Sequence, residues 1–187
     1  MKGSNMTYTV ISYSLTGNNS LLAEKIAERL KADRLTVLEP KARSMGKIML
    51  DMLWGRVPSV TIDGPQVRAD RLSQSTVIFV GPIWMGKIAS PFRGCFQLLK
   101  DKIGAYAFVS LSGGADGANS NTGLDRELET ALGKKAQMML DLHIADLLPS
   151  EPKPTRKITS SFRLGVEKAE ALAERVASVL ADTQKGL

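Results

Sequence analysis

The chain alternates between short apolar runs and longer stretches in which apolar residues recur every three or four positions. Tyr8 to Tyr13 is β-branched and aromatic and ends in polar and Gly residues, which predicts a buried strand. Leu22, Ala23, Ile26, Ala27 and Leu30 follow at helical spacing, with Glu24, Lys25, Glu28 and Arg29 on the other face. Leu35 to Leu38 predicts a second strand. Met45 to Trp54 predicts a helix with Met45, Ile48, Met49, Met52 and Leu53 on one stripe, broken by Gly55 and Pro58. Thr76-Val77-Ile78-Phe79-Val80 is a continuous apolar run of the kind found in strands covered on both faces, so it belongs at the sheet centre.

Ser90-Pro91 predicts an N-cap followed by proline at the first helical position, opening a helix towards Lys100. Ala105 to Leu111 predicts a fourth strand, and Leu124 to Leu132 a helix with Gly133 as its stop. Met138 to Leu148 contains a fifth strand. Beyond the Pro-rich loop Pro149 to Pro154, a last helix carries Val166, Ala169, Leu172, Ala173, Val176 and Leu180 on one face. This alternation argues for an α/β fold with a parallel sheet and helices on both sides. Ligands of doubly wound sheets sit beyond the carboxyl ends of strands, where strand order reverses, so three loops become candidates for chemistry.

Composition narrows the class. The 187 residues fit one domain over residues 7–187, with residues 1–6 expected to be a leader ahead of a native Met6 or a disordered start. No apolar run approaches the ~18 residues of a membrane span. Cys95 is the only cysteine, which excludes an internal disulfide and a Cys-cluster metal site and agrees with a reducing, cytoplasmic setting. The net charge of +6 favours an anionic partner. Its basic residues (Lys41, Arg43, Lys47, Arg56, Lys134, Lys135, Lys153, Arg156 and Lys157) fall in separate stretches without interleaved aromatics, which argues against nucleic acid.

The first loop, Ser14 to Ser20, has hydroxyls and amides but no basic residue. A helix amino terminus offers unpaired N–H groups and the positive end of its dipole, and Gly17 lets the backbone approach closely, so the loop suits a phosphate. Neither G-x-x-x-x-G-K-[ST] nor G-x-G-x-x-G occurs. The run Ser14-Leu15-Thr16-Gly17-Asn18-Asn19 resembles the T-x-T-G-N-T phosphate loop of the flavodoxin-like FMN-binding proteins, departing at Asn19 where threonine is usual. Ser20 is the nearest hydroxyl that could replace it.

The second loop, Gly81-Pro82-Ile83-Trp84-Met85-Gly86-Lys87 with Ala89-Ser90-Pro91, resembles the P-[IV]-[YW]-x-G segment that the same family places beside the isoalloxazine ring. A Trp just past a central strand can offer a flat apolar face to such a ring. The third, Ser112-Gly113-Gly114-Ala115-Asp116-Gly117, resembles the Gly-rich loop at the flavin's other edge. The resemblance implies a flavodoxin-like doubly wound five-stranded parallel sheet. It also implies an FMN site built from Ser14, Leu15, Thr16, Gly17, Asn18, Asn19, Pro82, Ile83, Trp84, Met85, Gly86, Ser112, Gly113 and Gly114. Phosphoacceptor receiver domains share this strand order but need acids where Ser14 and Pro82 stand.

Two functions then compete: a carrier between redox partner proteins, and a reductase passing electrons from a nicotinamide nucleotide to a small acceptor such as a quinone. Shuttling flavodoxins are typically acidic, whereas a positive field stabilises the reduced flavin anion and attracts nucleotide phosphates, which favours the reductase. A non-enzymatic binding module keeps Asn19 as its one support. Reductases of this kind are commonly homodimers. His143, among Leu140, Leu142 and Ile144, reads as a satisfied sheet residue, and Cys95, after Phe92 and Gly94, as a packed thiol. No metal motif is present. Met45 to Trp54, continued by Gly55, is expected to serve as a substrate lid or subunit contact.

Overall fold

The computed structural model describes residues 7–40, 45–64, 69–114 and 123–185. The expectations for residues 1–6, Lys41, Arg43, Ala115, Asp116, Gly117 and the side chains of Met45, Met49, Met52 and Leu53 lie outside the described residues.

In chain order, β1 (Tyr8–Ser12) leads into α1 (Asn18–Leu30), β2 (Asp33–Leu38) and α2 (Met45–Leu53). Then come β3 (Thr61–Asp63), α3 (Ala69–Gln74), β4 (Thr76–Val80), β5 (Ile83–Trp84), β6 (Lys87–Ile88) and α4 (Ser90–Leu99). The chain ends with β7 (Ala105–Ser112), α5 (Leu124–Leu132), β8 (Met138–His143), a 3₁₀ turn (Ile144–Leu147), α6 (Arg156–Ser161) and α7 (Val166–Lys185).

The main sheet is ordered β3-β2-β1-β4-β7-β8, and β3 alone is antiparallel. The parallel strands thus follow the doubly wound order 2-1-3-4-5, with its reversal between β1 and β4. The expected five parallel strands are present, but the sheet has six strands. The added edge strand is three residues long and half exposed to exposed, too short for alternation to betray it. The strands of the β5–β6 hairpin, two residues each, are likewise too short to show a period. Ser90 is the first helical residue rather than the N-cap, which is Ala89, and Pro91 sits in the first turn.

Side chains from alternate positions of the central strands feed two cores. Val10, Ile78, Val80 and Val109 pack under α1 and α7, against Leu22, Ile26, Ala173 and Val176. Ile11, Val77, Phe79, Tyr106 and Phe108 pack under α4 and α5. Phe79 is the hub of the second core, its ring centroid 5.0 Å from Phe96, 5.7 Å from Phe92 and 6.1 Å from Tyr106, all edge-on. Such edge-to-face pairs add to simple area burial. Phe79→Ala is therefore expected to destabilise the protein by about 3–5 kcal/mol. Urea unfolding checks this, and a midpoint close to wild type would contradict it.

Candidate functional site

Loop one starts where the Tyr13 N–H donates to the Val80 carbonyl (3.0 Å), tying the end of β1 to β4. Gly17, at φ 90°, is the N-cap of α1 and adopts the left-handed conformation that favours glycine. Its N–H donates to Ser14 Oγ at 3.0 Å, so the turn already holds an oxygen against that amide. The helical ladder begins at Leu21 N–H to Gly17 O, which leaves the N–H groups of Asn18, Asn19 and Ser20 ahead of it. No side chain caps the helix and its first turn holds no acid. Leu15, Thr16 and Gly17 are exposed. This is an open, uncapped helix amino terminus, which fits an anionic oxygen group.

The two asparagines serve the fold. Asn19 Nδ2 donates to Leu111 O (3.0 Å) while its Oδ1 accepts from Leu111 N–H (2.9 Å), so its amide is matched to the backbone of β7. Asn18 does the same to the last loop, donating to Phe162 O (3.1 Å) and accepting from Leu164 N–H (2.9 Å). The amide group of Asn19 is thus engaged by the protein. Ser20 Oγ accepts from the Arg34 guanidinium at 2.7 Å, which keeps the serine proton available for donation.

Loop two is held at both ends. Gly81 N–H donates to Val109 O (3.0 Å), and a Cβ at Gly81 would fall 2.1 Å from the Phe92 ring, so only glycine fits. The β5–β6 hairpin turns through Met85 (φ 52°) and Gly86 (φ 71°), the two positive φ values of a tight primed turn. Trp84 is half-buried, its ring edge-on to Tyr13 at 5.9 Å, and the Tyr13 hydroxyl donates to Glu39 Oε2 at 2.8 Å. Met85 projects outward, 65% exposed.

Loop three leaves β7 with Ser112 Oγ donating to Asp141 Oδ1 (3.2 Å). Asp141 Oδ2 lies 2.9 Å from His143 Nε2. Gly113 O accepts from Ala145 N–H (3.2 Å), and Gly114, at φ 68°, lies so close to His143 that a Cβ there would be 2.5 Å from the histidine Cβ. The histidine is thus a partnered residue on which the Gly-rich loop rests. Tyr13, Asp141 and His143 shape the candidate site from positions that carry no loop motif. Only register and loop packing reveal them.

The three loops leave adjacent strands β1, β4 and β7 at the same end of the sheet. The described residues hold no group of three or more His, Cys, Asp or Glu able to bind a metal, and no helix long and apolar enough to cross a membrane. Cys95 is buried, and burial pushes its thiol up to about 12. Trp54 (69%) and Leu50 (54%) of the segment expected to act as lid or contact are exposed, and the Arg56 guanidinium lies 5.1 Å from the Trp54 ring centre.

Asn19→Thr is expected to destabilise the protein by about 1–3 kcal/mol, because both backbone groups of Leu111 lose their partner. Denaturant unfolding tests it, and an unchanged midpoint would count against the clamp. Cys95 should resist thiol reagents until the protein unfolds. In the unfolded chain this thiol ionises near pH ~8.5, whereas the folded thiol stays protonated, so its contribution is complete below that pH and declines as pH rises towards the folded value. Tyr106, raised to about 12 by burial and then by Glu129 and Asp125, acts in the same direction. Stability should therefore fall on the alkaline side, less steeply in Cys95→Ala; parallel profiles would contradict this.

No family model matches the chain, and no curated protein sequence matches it. Solved structures do. A flavoprotein from Lactobacillus acidophilus, in complex with FMN, superposes with a TM-score of 0.59 at 19% identity, covering 73% of this chain and 93% of that one. The apo form of the Lactobacillus acidophilus flavoprotein gives 0.54 at 18% identity, covering 77% and 97%. A protein from Bacteroides uniformis, described as a flavoprotein, gives 0.60 at 13% identity, covering 91% and 99%. With the 2-1-3-4-5 order of its parallel strands and helices on both faces, the chain has the flavodoxin-like fold.

Proposed function

We propose that the chain binds FMN across the three loops and works as an oxidoreductase, passing electrons from a nicotinamide nucleotide to a small acceptor such as a quinone. The observation that carries this reading is the convergence of an uncapped helix amino terminus, an aromatic hairpin and a Gly-rich turn on neighbouring strands at the strand-order reversal. The Lactobacillus acidophilus likeness, crystallised with FMN, supports the choice of ligand.

In this reading the backbone N–H groups at the start of α1, with the Ser14 and Thr16 hydroxyls, hold the phosphate. Ser20, with Arg34 behind it, takes over the hydroxyl contact that Asn19 does not make. Trp84, steadied by Tyr13, and the segment Pro82 to Gly86 hold one side of the ring system, and Ser112 to Gly114 the other. When bound, FMN supplies hydride acceptance and electron release, while the protein contributes binding, orientation and electrostatics. The net charge of +6 favours an electron-rich, anionic cofactor and an anionic donor.

Titrating purified protein with FMN should give saturable quenching of flavin fluorescence at micromolar concentration. Ser14→Ala/Thr16→Ala should weaken binding roughly tenfold or more, by loss of hydrogen bonds to a charged group. Absence of binding at micromolar flavin would overturn the reading. Oxidation of NADH or NADPH should then depend on added quinone; a flavin-loaded protein inert to both nucleotides would remove the reductase part.

A further inference from the structure

A cleft of about 530 Å³ opens between the β5–β6 hairpin, α4 and α5, within the size range of small-molecule sites. Among the described residues, Lys87, Arg93 and Arg126 line it, against a single carboxylate, Glu127. That carboxylate is already engaged: Oε1 accepts from Arg93 Nη2 (3.3 Å) and Oε2 from the Ile88 N–H (3.1 Å). These bonds lock the hairpin, α4 and α5 together and use the charge of Arg93. Lys87 and Arg126, both exposed, have no hydrogen-bond or ion-pair partner among the described residues, so no described carboxylate holds either cation away from a ligand.

A further feature favours an anion. Gly123, also in the lining, is the N-cap of α5 and provides no side-chain cap, so the positive end of this nine-residue helix faces the cleft. Arg126 stands in the first turn beside the two acids of that turn, Asp125 and Glu127. Asp125, in the same turn, is not part of the lining.

The cleft adjoins the candidate flavin platform. Lys87 is the cross-strand partner of Trp84, and directly opposed residues project from the same face with Cβ atoms about 5 Å apart. Gly86, in the turn between them, also lines the cleft. We infer that the cleft is a second anion site, taking the phosphate groups of the nicotinamide nucleotide that approaches the flavin beside Trp84. The choice of nucleotide rests on the flavin reading above; the existence of the anion site does not.

ADP, which carries a diphosphate without the redox group, is the probe. Its affinity would be measured by calorimetry for the wild type, for Lys87→Ala/Arg126→Ala, and for Lys153→Ala/Lys157→Ala, which removes the same charge from exposed positions elsewhere. The first double variant should raise the ADP Kd roughly tenfold or more, the second should leave it near wild type, and FMN affinity should stay unchanged in both. Equal weakening in both variants would mean a general field effect and overturn the site. So would no change in either, or no ADP binding to the wild type at millimolar concentration. Cleft-dependent ADP binding in a protein that does not take up FMN would keep the anion site and remove the flavin reading.

Discussion

The central strands must be covered on both faces, and the rest of the molecule follows from that requirement. Every residue of β4 is buried, as are all but the first of β1 and of β7, so apolar side chains emerge above and below the sheet. Burying both sets needs helices on both sides, and the chain obtains them by building β2 outward from β1 in one direction and β4, β7 and β8 in the other. Right-handed crossovers then force the loops after β1 and β4 apart at the reversal, opening a crevice there. The crevice is a by-product of covering the sheet.

What gives the crevice a fixed shape is a set of polar clamps at its rim. Asn19 is bonded to β7 by both ends of its amide, and Asn18 to the segment before α7. Asp141 joins Ser112 to His143 beneath the Gly-rich loop, and Glu127 joins the Trp84 hairpin to α4. Each clamp satisfies groups that would otherwise be buried without partners. Within this rim the start of α1 is left without a side-chain cap. A helix end left open on a rigid frame is well prepared for an anion, because little ordering remains to be done on binding.

Much of this was legible in the sequence. Thr76 to Val80 announces a central strand because four consecutive apolar residues, Val77 to Val80, are what a strand covered on both faces requires, and helical spacing marks α1 and α7 as plainly. The candidate loops were legible through their glycines and hydroxyls. What escaped was non-local. The antiparallel edge at Thr61–Asp63 is too short to carry a period, and a hairpin of two-residue strands looks like any loop. Asn18 and Asn19 read as part of the phosphate loop, since nothing near them in sequence points to Leu111 or Phe162 as partners. The cluster of Lys87, Arg93 and Arg126 is equally invisible along a chain that separates them by up to a helix and a strand.

The central claim is that three loops far apart in sequence meet one ligand. Amide NMR of isotopically labelled protein during addition of FMN tests it most directly. The resonances of Gly17, the Trp84 indole and Gly113 or Gly114 should move together along one saturation curve, with α7 largely undisturbed. Shifts confined to a single loop, or centred on another surface, would contradict it.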